Sequence, residues 1–247
     1  MIAACDLHLG ETVLEIGPGP GVLTRSIAPR VSAVIAVEKD RELAGELKQQ
    51  FSDTNTTVIH ADFLDYPFDK LPSTVKVIGN VPYHISTAIL EKLIANRRHI
   101  NYAFLTLQLE FAQRLAAASG RSKAYGSLSC YAQYYADVEI LFRIPARAFR
   151  PAPKITSCFL KLSFREPAEQ AIDEEDLFAL IRLAFQQRRK KLFNTLASWV
   201  EKKSVIATLT SLDIDASSRP EDLSLKDYVA VTNALAGLKG KKTKGRD

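Results

Sequence analysis

The strongest constraint in this chain is a short loop. Glu15-Ile16-Gly17-Pro18-Gly19-Pro20-Gly21 closes an apolar run that begins at Thr12. Glycines permit a tight turn and a close backbone approach to a ligand, and the prolines between them stiffen it. The run reads as a strand, and residues 22–28 as a helix stopped by Pro29.

The pattern then repeats. Residues 33–37 read as a second strand ending at Glu38, and Asp40 as the N-cap of a helix with Leu43 and Leu47 on one face. Residues 57–60 form a third strand, ending at Asp62, and residues 75–79 a fourth, ending at Asn80. Residues 86–95 carry Ile89, Leu90 and Leu93 at helical spacing. Residues 102–107 make a fifth strand and 111–118 a helix. Strands alternating with helices specify an α/β fold, with a mostly parallel, Rossmann-like sheet covered on both faces. Residues 138–144 and 158–164 read as an antiparallel pair finishing that sheet. Glu166-Pro167-Ala168-Glu169-Gln170 reads as a linker. Residues 173–187, 225–238 and the stretch between read as helices. The expected organisation is a catalytic domain over 1–168 and a small all-α domain over 169–247, ending in a basic tail.

The bulk numbers narrow the partners. Lys and Arg number 33 against 28 Asp and Glu, a net charge of +5, which favours a polyanion. Arg188-Arg189-Lys190-Lys191 is a compact basic cluster; residues 239–246 form a glycine-rich basic tail with the composition of a solvated end. No apolar run approaches the roughly 20 residues that span a bilayer, and the N-terminus lacks the pattern of a signal peptide. Cys5, Cys130 and Cys158 are widely spaced, without CxxC or Cys/His spacing. They read as reduced thiols in a cytoplasmic protein. His8, His60 and His99 show no metal-like grouping, so no metal is expected.

Ligands of such sheets sit at the carboxyl ends of the strands, where the glycine loop, Glu38, Asp62 and Asn80 all fall. Gly17, Gly19 and Gly21 form GxGxG; a dinucleotide fingerprint would be GxGxxG, and Val22-Leu23 break that spacing. Glu38 is placed to accept from both hydroxyls of a ribose, Asp62 from an adenine amine, and Phe63 to pack on that ring. Bland readings stand beside these: a tight βα turn, a helix-start acid beside Lys39, and a turn cap. NAD would use the same elements but leaves the fourth strand end unexplained.

Asn80-Val81-Pro82-Tyr83 supplies that explanation. An adenine amine is a poor nucleophile because its lone pair is delocalised into the ring. The Asn80 side-chain oxygen and the carbonyl of Val81 or Pro82 can accept its two N–H bonds and aim the lone pair at an electrophile. Pro82 fixes φ, and Tyr83 offers a stacking face worth about 1–3 kcal/mol. Phe149, before Arg150-Pro151-Ala152-Pro153-Lys154, can form a second face around an extruded base. His84 reads as solvent-facing or outside the direct contacts. Together the two halves point to methyl transfer from S-adenosylmethionine to an adenine amine, driven mainly by orientation.

At these residues the chain resembles the KsgA/RsmA-type small-subunit (16S) rRNA dimethyladenosine transferases, within the wider class that includes the Erm methyltransferases. The shared pieces are 15–24, 37–40, Asp62, 80–86, the Ser122-Lys123-Ala124-Tyr125-Gly126-Ser127-Leu128-Ser129 stretch with Ala132-Gln133-Tyr134-Tyr135, 149–154, and 184–190. The resemblance implies an S-adenosylmethionine-dependent methyltransferase that dimethylates two adjacent adenines near the 3′ end of small-subunit rRNA during ribosome biogenesis. Glu15, Gly17, Gly19, Gly21, Glu38, Lys39, Asp62, Phe63 and Asn80 would serve the cofactor. Asn80, Pro82, Tyr83 and Phe149 would hold the base. Arg188, Arg189, Lys190 and Lys191 would contact rRNA, and the small helical domain would dock a monomer on the immature small subunit. The family's N-terminal Gln-Asn-Phe-Leu segment, which closes over the cofactor, has no counterpart here. Alternatives therefore remain: an Erm-like large-subunit enzyme, a more distant DNA adenine methyltransferase, and a non-catalytic assembly factor.

Overall fold

The computed structural model describes residues 1–71, 73–120, 122–149 and 155–238; the basic tail and Arg150–Lys154 lie outside them. The strands are β1 (Thr12–Ile16), β2 (Ala33–Glu38), β3 (Thr56–His60), β4 (Val75–Asn80), β5 (Ile100–Gln108), β6 (Ala136–Ile144) and β7 (Ser157–Phe164). They form one sheet in the order β3-β2-β1-β4-β5-β7-β6. The first five are parallel, and β7 and β6 close the sheet in antiparallel pairing. The expected α/β sheet with an antiparallel end is the observed one.

The chain runs outward from β1 to β3, then returns to β4 on the other side of β1. That reversal makes the gap between the carboxyl ends of β1 and β4 the topological switch point, where α/β sheets bind ligands. Helices α1 (Val22–Ile27) and α2 (Arg41–Gln50) supply Ile27, Ala44 and Leu47 to one core cluster. They pack there with Val13, Val34, Ala36, Ile78, Phe104 and Phe159. By strand alternation these residues share their sheet face with Glu15, Glu38, Asn80, Thr106 and Ser157, so the core and the polar strand ends are one continuous surface. Helix α3 (Ser86–Ala95) returns the chain to β5, and right-handed crossovers put it on the opposite face. The amino end of the sheet is tied down by Lys76. Its ammonium, only 5 % exposed, takes the carbonyls of Cys5 and Asp6 at 2.8 Å each and the Glu11 carboxylate at 2.8 Å.

Most strand bounds fall within two residues of expectation. Helix α4 (Leu109–Leu115) starts and stops earlier than expected, and α5 (Ser127–Tyr135) was not anticipated. The Cα packing forms two units: Met1–Gln113 with Tyr135–Glu166, and Arg114–Tyr134 with the chain from Pro167 on. The second unit holds α6 (Glu174–Gln186), α7 (Leu192–Leu196), α8 (Lys202–Ser211) and α9 (Leu225–Leu235). Asp173 caps α6 through the Asp176 N–H, and Ser224 with Asp227 forms a capping box on α9. Arg114–Tyr134, counted with the first domain in the sequence, groups with these helices.

Candidate active site

The site is assembled by strand register. Ile16 on β1 pairs with Gly79 on β4, so Gly17 and Asn80, one residue further on each, stand side by side across the switch point. Neighbouring strands are about 4.8 Å apart. The two sequence motifs therefore meet at one edge.

The glycine loop is held by the end of β2. Gly17 donates its N–H to the Val37 carbonyl at 3.0 Å. Gly19 donates to Glu38 Oε2 at 3.0 Å, and Asp40 to Glu38 Oε1 at 2.9 Å. A carboxylate has about four lone-pair sites, so Glu38 keeps acceptor capacity for a sugar while bracing the loop. Gly17 and Gly19 have φ of +57° and +55°, a conformation that favours glycine, and a Cβ on either would point into open space.

Glu15 lies beneath the loop and is 1 % exposed. Its Oε2 accepts from Thr24 Oγ1 at 2.7 Å, while Oε1 is buried with no hydrogen-bond partner. Burial pushes its carboxyl up to about 7; the Thr24 bonds oppose this and the neighbouring Glu38 charge adds to it. A buried, half-satisfied acid beside an empty-sided glycine turn suits a ligand that brings a donor or a positive charge. Asp62 combines two roles. Its Oδ1 caps the turn at Leu64 N–H (2.9 Å) and its Oδ2 meets Lys39 Nζ at 2.6 Å. The Lys39 ammonium, then the Leu64 N–H, hold its carboxyl below the usual range. Phe63 is buried, edge-on to Phe68 with centroids 5.8 Å apart.

On the other side of the switch, Asn80 is exposed and pairs in register with Thr106 on β5. The Val81 N–H donates to the Thr106 carbonyl at 3.3 Å, fastening the tetrapeptide to the next strand. The Pro82 carbonyl already accepts from Ile85 N–H at 3.1 Å, so one of its two lone pairs is taken. Tyr83 is half-buried, with its Oη 2.5 Å from Ser157 Oγ. His84 is exposed. Phe149 is half-buried and packs on the core cluster of this same face; the rest of its motif lies outside the described residues. Sequence reading had no local signal for Ser157, Thr106 or Thr24. Each is an ordinary hydroxyl in or beside an apolar element, and only the fold brings it to the cleft.

The basic cluster belongs to the second unit. Arg188 is committed within it: Nη2 lies 2.9 Å from Glu221 Oε2, and Nη1 donates to the Lys123 carbonyl at 3.0 Å. Arg189, Lys190 and Lys191 are exposed. Among the described residues, no group of three or more His, Cys, Asp or Glu is arranged to hold a metal ion, and no helix is long and apolar enough to cross a membrane. Cys5, Cys130 and Cys158 are free and buried, and burial pushes their thiols up to about 11, 12 and 11.

Comparison with known proteins bears on the family and the fold. The family model described as ribosomal RNA adenine dimethylase matches residues 1–237. The ribosomal RNA small subunit methyltransferase A of Gloeobacter violaceus is 41 % identical over 242 residues, covering 96 % of this chain and 87 % of that protein. Among solved structures, a dimethyladenosine transferase from Plasmodium falciparum superposes with a TM-score of 0.80 at 25 % identity, covering 93 % of this chain and 91 % of its own. The 23S rRNA methyltransferase ErmE superposes with a TM-score of 0.74 at 26 % identity, covering 94 % of each chain.

Proposed function

The chain belongs to the ribosomal RNA adenine dimethylase family, and we propose that it methylates adenine N6 of small-subunit rRNA at the cleft between β1 and β4. It is a methyltransferase enzyme of the S-adenosylmethionine-dependent class. The observation that supports the site assignment most is the pairing of Ile16 with Gly79, since the residue that follows each belongs to one of the two motifs.

The residues present fit S-adenosylmethionine. Gly17 and Gly19 leave open backbone, Glu38 retains lone pairs for ribose hydroxyls, Asp62 stands at the rim for an adenine amine, and Glu15 has an unpaired oxygen. The bound cofactor supplies a methyl group made electrophilic by its sulfonium. Asn80 Oδ1 and the Val81 carbonyl accept the two N–H bonds of the target amine and turn its lone pair toward that methyl. Tyr83 supports the ring by stacking, and Phe149 encloses it. No strong base is needed before attack, because the amine proton becomes acidic only as the new bond forms. Orientation thus supplies most of the acceleration.

The substrate reading is two methylations on each of two adjacent adenines near the 3′ end of the RNA, in the immature small subunit. Arg189, Lys190 and Lys191 offer exposed charge for phosphates, Lys191 with Asp215 nearby, and Arg188 shapes their surroundings through Glu221. We place the enzyme in the cytoplasm as a monomer, in keeping with its buried free thiols. ErmE shares the fold, but the 41 % identical relative carries a small-subunit name, which favours that substrate over large-subunit RNA.

The test is labelled-methyl transfer to small subunits lacking the modification, with mapping of the marked nucleotides. Marks on large-subunit RNA alone would overturn the substrate. Asn80→Ala should lower kcat about 10²–10³-fold, as when one preorganised polar contact is lost, with unchanged affinity for S-adenosylhomocysteine. Unchanged turnover would exclude the amine contact.

A further inference from the structure

Tyr83 is fastened at its far end. Its Oη lies 2.5 Å from Ser157 Oγ, across 74 residues of sequence. Ser157 is fully buried and opens β7, opposite Gln108 on β5 and Ile144 on β6. Asn80 pairs with Thr106, and Thr106 with Phe159 two residues from Ser157. Alternation therefore puts Ser157 on the sheet face that carries Asn80. A buried hydroxyl needs a partner, and the Tyr83 phenol provides it at the short end of the O–H···O range.

We propose that Ser157 is a positioning residue for methyl transfer, fixing the plane of the Tyr83 ring against which the target adenine stacks. The proposal rests on the reading of Tyr83 as the stacking face. A tyrosine ring held only by its Cβ swings about two torsions. Pinning Oη to a strand fixes the first; Oη lies on the axis of the second, which is held by the direction of the bond, because a phenol donates and accepts close to the plane of its ring. Ser157 and Phe149 are set by the same hairpin, since Ile144 at the end of β6 pairs with Ser157 and Phe149 follows shortly after Ile144. Both aromatic walls thus take their position from β6 and β7, while Asn80 takes its own from β4.

Ser157→Ala, Ser157→Thr, Tyr83→Phe, Tyr83→Ala and the Ser157→Ala/Tyr83→Phe pair, all in the full chain, test this. The measurements are kcat and KM on unmodified small subunits and the Kd for S-adenosylhomocysteine. Ser157→Ala and Tyr83→Phe should each lower kcat about tenfold through misplacement, with the Kd unchanged. The double variant should be no worse than either single one, and Ser157→Thr, which keeps the hydroxyl, should recover most of the loss. Wild-type kcat in Ser157→Ala, or losses that multiply in the double variant, would overturn the pin. If Ser157→Ala does not fold, Tyr83→Phe decides: a tenfold loss supports the pin and full kcat refutes it. Full activity in Tyr83→Ala would instead remove the stacking role, and the proposal with it. Collapse in Tyr83→Ala alone, with Ser157→Ala and Tyr83→Phe intact, would refute only the pin.

Discussion

Glu15 carries the largest charge problem of any residue in the cleft. Its carboxyl is pushed up to about 7 from an ordinary 4.5 by burial. The native state therefore holds a proton that the unfolded chain releases. The resulting stability is fully present below about pH 4.5 and is lost as pH rises to about 7, a difference of roughly 3 kcal/mol. Glu15→Gln should flatten this dependence. Urea unfolding should find it more stable than the parent at pH 8, by about 2–3 kcal/mol, and nearly equal at pH 4.5. A variant curve as steep as the parent's would rule Glu15 out as the source. At this scale the sequence was informative where a residue's position after a strand decides its role: Glu38, Asp62 and Asn80 could all be located that way. It was silent where a partner is distant. Nothing local pairs Ser157 with Tyr83, Thr24 with Glu15, or Glu221 with Arg188. Phe63 looks free in the sequence, yet packs edge-on to Phe68.

Between elements, the decisive contact is the one joining β1 to β4. A Cβ on Gly79 would come within 2.8 Å of Ile16 Cβ, so the strands meet there only because position 79 has no side chain. Gly79→Ala should cost about 1–3 kcal/mol by overpacking, read as a lower urea midpoint. It should also depress kcat, since the same shift separates Gly17 from Asn80. A stable variant of full activity would show that the strands give way freely. The parallel strands were legible because glycine, proline or a polar residue punctuates each carboxyl end. Helix α5 was not. Its Ser-Leu-Ser-Cys-Tyr-Ala-Gln-Tyr-Tyr sequence is poor in strong helix formers. Tertiary bonds compensate: Gln133 donates to the carbonyls of Leu115 and Ala117 at 2.7 and 2.9 Å.

For the molecule as a whole, the net charge of +5 matters less than which cations are free. Arg188 and Glu221 are each a little over one-third exposed and form a partly screened pair. Arg188→Ala should therefore lower stability by about 1 kcal/mol, visible as a drop in Tm. Lys190→Ala should leave Tm unchanged and reduce the salt dependence of subunit binding by about one unit of slope. Equal behaviour of the two variants would erase the distinction. The division of labour was only half legible in the sequence, which shows four adjacent cations alike. The bracing of the glycine turn has its own consequence at this scale. Glu38 grips the N–H groups of Gly19 and Asp40, so the curvature of the turn is dictated by the fold's own carboxylate. A mould set by internal bonds costs little reshaping when it is used.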